Sequence, residues 1–421
     1  MKTRVVITGI GTVAPNGAGN ASFLAAIKDG RSGIAFRKEL QAANFGSQIA
    51  GVPDIQKHPN SKNLGFLNAD APSVLSYVCL AGIEAWEDAG LKPFIEDPDI
   101  SSGVIIGTSM GCSELMSNKV APMVNAKTPK RLGSRTMEQV MYSSPSAMLS
   151  GMLGLGNYSM TISNVCASGL DAILLGYDRL ISGKAKKMLV GGADGFSPYI
   201  LAPMDATRIP TRFFNNDPKA GCRPMSQTAS GFVYGCGAGI LLIETLESAK
   251  ARGARIYAEI KGGNSNCGGQ RNGGTMSAPS SSGIIRCIKE ALLDANIKSH
   301  EIDCVSGHLT ATKADVTEVL NWKKALELGK EDFPYINSLK SMTGHCFGAS
   351  GGLESIASVL EIYHGFVHPS INSEDLHQEI EAEIGRKAVP TKTIDNISIN
   401  CIIKASFGFG DVNSCIIFKK F

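Results

Sequence analysis

The sequence predicts an α/β protein made of two duplicated halves, each rich in βαβ units. Short apolar runs end at glycine or charged residues, as strands covered on both faces do, and helical patterns lie between them. A repeat with a separation of about 200 residues supports the duplication. The 421 residues are enough for a large core and exclude a small disulfide-stapled or metal-dependent fold.

The predicted strands are short, and the 47 glycines of the chain are spread over their ends and the turns. Because the glycines are distributed over the whole sequence, they are typical of the turns of a folded α/β protein and not of a low-complexity linker. The apolar runs that we take as strands are 5–7, 104–106, 188–190, 239–243 and 415–418.

The repeat is clearest at two predicted helix ends, residues 84–91 and 290–297. Gly90 and Asn296 occupy the same place in both, where a left-handed helix cap is expected. In each half an arginine precedes an earlier strand, and an acidic residue followed by isoleucine comes later. Three matching features in one order favour duplication over coincidence.

We place the seam between the halves near residues 248–253. This division gives an N-terminal half of residues 1–250 and a C-terminal half of residues 251–421. If the two halves pack on one another, loops from both reach one central site.

Composition narrows the classes of partner. The 41 basic and 38 acidic residues leave a net charge of +3, too even for nonspecific binding of nucleic acid. Charged residues are 19% and hydrophobic residues 43% of the chain, which favours an intimate oligomer. No apolar stretch reaches the roughly 20 residues of a membrane span. The 11 scattered cysteines include no CxxC pair, so we expect buried thiols, no metal site and a reducing, cytoplasmic location.

One of these cysteines, Cys166, precedes a predicted amphipathic helix. Apolar residues recur at helical spacing between positions 170 and 181, and the helix ends at Gly183. A thiol at a helix N-terminus lies at the positive end of the helix dipole, which lowers its pKa and favours the nucleophilic thiolate. The alternative is a buried structural cysteine, but the Ala, Ser and Gly that follow leave room for a substrate.

Two of the 7 histidines, His308 and His345, stand in glycine-rich turns after short apolar strands. Such turns are where α/β folds present functional groups, although a histidine in a loop is more often solvated or held by its neighbours. The other histidines lie in polar or terminal contexts and receive no function. A cysteine with two histidines suits acyl transfer, because one base accepts the thiol proton while imidazole N–H groups stabilise an oxyanion.

Phenylalanine and glycine alternate after Ser406, in residues 407–410. The alternation indicates either a tight turn between core aromatics or a mobile loop. As a loop, its backbone N–H groups would supply an oxyanion hole, and one phenylalanine would close an apolar tunnel.

In this order, these segments resemble the β-ketoacyl-acyl-carrier-protein synthases, the condensing enzymes of fatty-acid and polyketide synthesis, which have the thiolase fold. The similarity spans nearly the whole chain, and it implies a five-layered αβαβα subunit, a homodimer and a Cys-His-His site of the elongating branch. The segments that carry it are RVVITGIG at 4–11, VCASG at 165–169, RP at 223–224, GFV at 231–233, GCGAG at 235–239, AKARGA at 249–254, HLTAT at 308–312, NSLKSMTGH at 337–345 and SFGFG at 406–410.

The resemblance also implies a role for each matching residue. Cys166 would take the acyl group from a carrier protein, while His308 and His345 would assist decarboxylation of malonyl-carrier protein. Lys340 would support the site, with Glu318 as its charge partner. The 4'-phosphopantetheine arrives on the carrier protein, so no other cofactor is expected. Phe409 would be the gate, and its N–H would join that of Cys166 in the oxyanion hole. The remaining expected site residues are Phe407, Gly408 and Gly410 in the same gate and oxyanion loop, Asp315 as further support, Thr310 and Thr312 at the pantetheine, Met110 in the acyl pocket, and Arg208, Arg212, Lys130 and Arg131 at the carrier-docking surface.

Several positions depart from the pattern of that family. Leu309 replaces a glycine after the first histidine, and Ala405 and Asp411 replace an asparagine and a glycine at the ends of the gate loop. Cys236 stands where a glutamate is usual, and the glycine-rich stretch 262–274 lacks the aspartate of the gate's partner loop. Since the trio is intact and its surroundings are altered, we expect a specialised condensing enzyme that makes polyenes or other unusual chains.

Two other functions compete with this one. A non-catalytic subunit that sets chain length for an active synthase usually lacks the nucleophile, which this chain keeps. A degradative thiolase that uses CoA carries a second cysteine in a C-terminal Cys-x-Gly motif, and residues 408–411 contain no cysteine. The sequence leaves open whether the dimer forms with itself or with a related ketosynthase.

Overall fold

A computed structural model of the chain describes residues 3–65, 67 and 71–421. Every apolar run that the sequence analysis takes as a strand lies in a strand. The strands of the described residues are β1 Val5–Ala14, β2 Gly17–Ala18, β3 Ile34–Phe36, β4 Ile49–Gly51, β5 Ser102–Gly107, β6 Ser159–Ile162, β7 Lys187–Asp194, β8 Tyr234–Gly235, β9 Gly237–Thr245, β10 Ala258–Cys267, β11 Cys304–Ser306, β12 Tyr335–Asn337, β13 Phe366–Val367, β14 Ile394–Asp395, β15 Cys401–Gly408 and β16 Val412–Lys419.

The two halves of the main sheet have the same topology. The strands of the first half stand in the order β6-β5-β7-β9-β1, and those of the second in the order β12-β11-β15-β16-β10. If the five strands of each half are numbered 1 to 5 along the chain, both halves have the spatial order 3-2-4-5-1. In both, the first three strands of that order are parallel and the last two pair antiparallel. The strands β1 and β10 join the halves. The duplication predicted from the sequence is therefore confirmed.

The helices connect these strands and cover the sheet. Of the described residues, those in α-helices are α1 Asn20–Lys28, α2 Lys38–Ala42, α3 Ser73–Asp88, α4 Ser113–Leu115, α5 Ala121–Asn125, α6 Arg135–Val140, α7 Ser144–Leu153, α8 Ser168–Ile181, α9 Pro198–Ala206, α10 Leu246–Ala251, α11 Ser281–Ala295, α12 Ala314–Leu326, α13 Lys340–Thr343, α14 Ser350–His364 and α15 Gln378–Ile384. No helix of the described part combines the length and apolarity that crossing a bilayer requires.

Five layers result from the packing of these helices. The helix α3 covers the outer face of the first half, α11 and α12 cover the outer face of the second, and α8 and α14 lie between the two halves. One apolar core unites side chains of α8 and α14 with side chains of both half-sheets. The side chains of residues 350–362 in α14 are all buried. The predicted αβαβα arrangement is therefore confirmed.

The repeated helix ends have the backbone that the sequence predicts. Gly90 follows α3 with φ 73°, and Asn296 follows α11 with φ 52°, so both lie in the left-handed region. The predicted seam at 248–253 coincides with the end of α10. The division of the chain at residue 250 stays a prediction.

Glycines let the two central helices begin in close contact. A Cβ built on Gly169, in the first turn of α8, would lie 2.4 Å from the carbonyl oxygen of Gly348, which precedes α14. A Cβ on Gly192, in β7, would lie 2.0 Å from the same oxygen. Because no side chain fits in these gaps, the approach of the two helix starts requires glycine at both places.

We predict that Gly169→Ala destabilises the protein by about 1–3 kcal/mol, because the added methyl group meets backbone that cannot rotate away. Gly151→Ala is the matched control. Gly151 lies in the exposed face of α7, where a Cβ would meet nothing within 4 Å. That change should leave stability the same or raise it by about 0.5–1 kcal/mol. Urea unfolding of both variants measures the difference, and equal stability would contradict the role of the glycine contact.

Candidate active site

Cys166 lies in a short 3-10 turn, Val165–Ala167, immediately before α8. The residue as a whole is 6% exposed. The sulfur lies 3.0 Å from Nε2 of His345, and the backbone N–H of Phe409 lies near enough to it to lower the pKa of the thiol. The cysteine thus stands at a helix start, as predicted, in contact with residues from the second half.

The predicted lowering of the Cys166 pKa is wrong. Burial raises the pKa of the thiol to about 12, against the opposing influence of the Lys340 charge and of the Phe409 N–H. Loss of hydration outweighs the helix dipole because the thiol itself is buried. The resting group is therefore a thiol, which needs a proton acceptor beside it before it can act as a nucleophile.

His345 is fixed by its backbone and by both ring nitrogens. Its N–H donates to the carbonyl of Val233 at 2.8 Å, and its own carbonyl accepts from Gly235 at 2.9 Å. The ring Nδ1 lies 3.1 Å from Oγ of Ser350, and Nε2 faces the sulfur of Cys166. A serine hydroxyl can donate or accept, so it can hold either tautomer of the imidazole.

His308 comes from the loop after β11, and its ring centroid lies 5.3 Å from that of His345. Nitrogen atoms of the two rings and the Cys166 sulfur all lie within 4.8 Å of one another. Burial and the positive charge of Lys340 lower the pKa of both rings well below the usual range of histidine. Both imidazoles are therefore neutral at physiological pH.

The expected pairing of Lys340 with Glu318 is wrong. The Glu318 carboxylate instead accepts the backbone N–H groups of His308 at 2.7 Å and Leu309 at 2.8 Å. These bonds use both oxygens and turn them toward the loop. Glu318 does support the site, but through the backbone of His308 and not through the lysine.

Asp315 holds the next part of the same loop. Its carboxylate accepts N–H groups of Thr310 at 2.9 Å and Ala311 at 3.1 Å. Leu309 and Ala311 have φ values of 23° and 62°, so the loop adopts left-handed backbone without glycine. Burial raises the pKa of Asp315 to about 6 and that of Glu318 to about 7. The two acids thus stabilise a conformation that the local sequence disfavours.

Lys340 pairs with Glu354, which the sequence analysis missed. Its Nζ lies 2.5 Å from one oxygen of Glu354, and Nζ of a second buried lysine, Lys404, lies 2.7 Å from the other. All three side chains are at most 2% exposed. Burial lowers the pKa of Lys404. A single lysine inside the apolar run of β15 was the signal that could have identified this residue.

A further missed residue, Asp194, ends β7 beside the cysteine turn. It accepts hydrogen bonds from the hydroxyl of Thr108 at 2.8 Å and the N–H of Gly348 at 2.6 Å. Burial raises the pKa of its carboxyl group. Because Thr108 follows β5 and Gly348 precedes α14, the carboxylate fastens the two halves behind Cys166.

The trio opens on a cavity of about 550 Å³. Its walls contain both threonines expected at the pantetheine, both gate phenylalanines and one basic residue of the expected docking surface. The lining residues that the argument uses are Cys166, His308, His345, Thr310, Thr312, Lys313, Phe407, Gly408, Phe409, Arg208, Ser277, Ala278 and Pro279.

Other predicted residues lie outside this cavity. Met110 is on the surface, 39% exposed. Arg212 donates to Asp205 and packs against Gly46, so its guanidinium is already engaged by the fold. Lys130 and Arg131 are exposed in a separate turn, Pro129–Arg131. Gly410 adopts φ 89° beyond the gate phenylalanines.

Cys166, His308 and His345 also form the one group in the described part of the chain whose ligand atoms lie close enough to share a metal ion. A thiolate with two imidazoles is a set of donors that Zn²⁺ accepts. That the protein works without a metal stays a prediction.

We predict that Glu354→Gln costs about 3–5 kcal/mol of stability, because it leaves two buried ammonium groups without a carboxylate. Lys404→Met keeps the pair between Lys340 and Glu354, so its cost should stay below about 1.5 kcal/mol. Urea unfolding at neutral pH compares the two variants. An equal or larger loss in Lys404→Met would show that the three charges do not act as we describe.

Comparison with known proteins agrees with the fold and the site. The profile of the β-ketoacyl synthase N-terminal domain matches residues 2–249, and that of the C-terminal domain matches residues 257–374. The 3-oxoacyl-[acyl-carrier-protein] synthase 2 of Vibrio harveyi is 33% identical, over 100% of this chain and 99% of the relative.

Solved structures of ketosynthases are similar over the full length. The ishigamide ketosynthase/chain length factor has a TM-score of 0.88 and 28% identity, with 100% of both chains covered. A type II polyketide ketosynthase, bound to a hexaketide and in complex with its acyl-carrier protein, has a TM-score of 0.88 and 29% identity, again with 100% of both chains covered. The chain belongs to the β-ketoacyl synthase family, whose curated relatives are acyltransferases named 3-oxoacyl-[acyl-carrier-protein] synthases.

Proposed function

We propose that this protein elongates an acyl chain by decarboxylative Claisen condensation with malonyl-carrier protein. The observation that carries the proposal is the 3.0 Å contact between the Cys166 sulfur and Nε2 of His345, with the neutral ring of His308 beside it. The names of the relatives support the reaction class, and the complex of a similar ketosynthase supports a carrier protein as the partner.

The first step is transfer of the acyl group to Cys166. As the sulfur attacks the thioester carbonyl, the thiol proton moves to Nε2 of His345, and the acyl oxygen becomes an oxyanion. The N–H of Phe409, which lies beside the sulfur at rest, donates to this oxygen together with the N–H of Cys166. Collapse breaks the old C–S bond, and His345 returns the proton to the departing pantetheine sulfur.

The second step forms the new carbon–carbon bond. Before the second step the imidazole of His345 changes tautomer, so that Nε2 carries the proton and Nδ1 accepts from the hydroxyl of Ser350. Malonyl-carrier protein then loses CO₂, and the electron pair of the broken bond passes into an enolate whose oxygen accepts N–H bonds from His308 and from Nε2 of His345. The enolate carbon attacks the acyl group on Cys166, and the sulfur leaves and regains a proton from solution. Two neutral donors suit this step because they stabilise charge that develops only in the transition state, and the nearby Lys340 adds to that stabilisation.

The cavity suits a pantetheine arm. Thr310 and Thr312 lie in its wall with their hydroxyl groups 3.1 Å apart, and both can bond amides of the arm. Arg208 and Lys313 line the same cavity and are exposed, so they can meet the phosphate of the arm and an acidic carrier protein. Arg212, already paired with Asp205, contributes less.

A second subunit would complete the acyl pocket. Met110 lies on the surface near Tyr142, whose hydroxyl bonds the carbonyl of Ser109, and both side chains are about two-fifths exposed, at 39% and 43%. An apolar patch beside the nucleophile turn is a surface that a partner chain would cover. We expect a homodimer; a heterodimer with a chain-length partner, as the name of one similar structure describes, would use this chain as the catalytic member because it keeps the trio. The cytoplasmic location stays a prediction.

The function predicts different effects of the two histidines. With acyl-carrier proteins of several chain lengths, Cys166→Ala should form neither acyl-enzyme nor product. His345→Ala should slow acylation by about 10²–10⁴-fold, because it removes the proton acceptor, and should also lose condensation. His308→Ala should become acylated at a rate close to that of the native protein but fail to condense.

Intact mass after mixing with acyl-carrier protein measures the first step, and detection of 3-oxoacyl-carrier protein after adding malonyl-carrier protein measures the second. Native acylation in His345→Ala would refute its role as the thiol base. Absence of product with every acyl chain, or labelling only of a co-purified partner, would overturn the condensing function of this chain.

A further inference from the structure

The gate turn, residues 408–411 between β15 and β16, is fastened to the glycine segment, residues 268–280, by one buried carboxylate. Asp411 is fully buried. Its Oδ1 accepts the N–H of Ser280 at 2.7 Å, and its Oδ2 accepts the N–H of Gln270 at 2.9 Å. A single side chain of the turn therefore holds both ends of the segment.

The glycine segment forms a cradle shaped for this carboxylate. A Cβ built on Gly268 would lie 2.2 Å from Oδ2 of Asp411, and one on Gly274 would lie 2.3 Å from the same atom. Asp411 itself has φ 62°, a left-handed backbone that costs an aspartate energy. The carboxylate contacts offset that cost, so the contact is a built one and not a chance approach of two loops.

Backbone bonds extend the attachment on either side. The N–H of Gly268 donates to the carbonyl of Asp411 at 2.9 Å, and the N–H of Gly410 donates to the carbonyl of Met276 at 2.8 Å. The turn and the segment thus form one unit, in which Asp411 supplies the side-chain bonds.

This unit connects the mouth of the cavity to the sulfur. Ser277, Ala278 and Pro279 of the segment line the cavity. Phe409, two residues before Asp411, lines it as well, and its N–H, beside the Cys166 sulfur, lowers the pKa of the thiol. A Cβ on Gly408 would lie 3.5 Å from the N of Cys166, so the turn rests directly on the nucleophile. A displacement of Asp411 from its cradle would move the N–H donor.

We propose that Asp411 is a positioning residue, which holds the Phe409 N–H at the Cys166 sulfur and keeps the gate turn closed over it. In the family that the sequence resembles, the glycine segment carries an aspartate and position 411 is a glycine. In this chain the segment lacks that aspartate, and Asp411 of the turn supplies a carboxylate instead. The part of this inference that concerns acyl transfer rests on the proposed function, whereas the closure of the turn over the thiol does not.

Asp411→Asn tests the proposal, because an amide keeps the size of the side chain but can accept only one of the two N–H groups. We expect alkylation of Cys166 by iodoacetamide to become about tenfold faster, because the weakened contact lets the turn open more often and expose the thiol. The modification is measured on the peptide that contains Cys166. Trypsin cleavage after Arg271, inside the segment, should also accelerate. The rate constant of acylation should fall about 10–100-fold, less than complete loss of an oxyanion donor, with the half-saturating substrate concentration nearly unchanged.

Asp303→Asn is the matched control. Asp303 also accepts two backbone N–H groups through one carboxylate, from Asn400 at 2.6 Å and Cys401 at 3.0 Å, but at the opposite end of β15. Both of these N–H groups donate to the same oxygen, Oδ2, which the amide of asparagine can replace, so this change removes a carboxylate charge at the start of the same strand, far from the sulfur, without freeing a backbone N–H. Its alkylation, cleavage and acylation rates should equal those of the native protein.

A second variant guards against misfolding of the first. Asp411→Gly removes the carboxylate and relieves the left-handed backbone, and it should reproduce the faster alkylation and cleavage. Native alkylation and cleavage rates in both variants, or equal changes in Asp303→Asn, would overturn the proposal. Failure of the native protein to become acylated would instead count against the proposed function, while alkylation and cleavage would still decide the role of Asp411.

Discussion

The close approach of the two central helix starts is the constraint on which the site depends. The helices α8 and α14 each follow a 3-10 turn, Val165–Ala167 and Phe347–Ala349, and the first residues of these turns have φ values of 48° and 47°. Glycine at 169 and 192 lets the backbone of these turns touch. Since Cys166 lies in one turn and His345 just before the other, this contact sets the distance between sulfur and ring nitrogen.

Charge is distributed so that the reacting groups are neutral at rest. Burial, together with the positive charge of the two lysines that share Glu354 below the site, lowers the pKa of both imidazoles and keeps them in the neutral form. Burial in turn keeps the Cys166 thiol protonated. A site of this kind stabilises negative charge when it develops on an oxyanion or enolate, without holding a charged nucleophile out of water beforehand. Glu318 and Asp315 accept backbone N–H groups of the His308 loop, so neither carboxylate pairs with an imidazole ring and stabilises its charged form.

The sequence alone predicts the elements and the three side chains that the structure brings together at the candidate site, but not the groups that hold them. Gly90 and Asn296 revealed the duplication because helix caps have local signatures, and Cys166, His308 and His345 stood out because each follows a strand or starts a helix. Glu354 and Lys404 were missed, and Glu318 was given the wrong partner, because the side that a buried charge faces depends on the packing of distant segments. Asp411 is separated from Gln270 by 141 residues and from Ser280 by 131, so its contacts have no local pattern.

We infer that one sulfur among the chain's 11 cysteines carries the acyl group, because among the described residues only Cys166 has both an imidazole nitrogen and the gate N–H at its sulfur. Peptide mapping of the protein after incubation with acyl-carrier protein tests this directly. We predict that the added acyl mass resides on the peptide with Cys166 and on no other cysteine peptide. Acyl mass on the exposed Cys267, or on Cys346 beside His345, with Cys166 unmodified, would contradict the account.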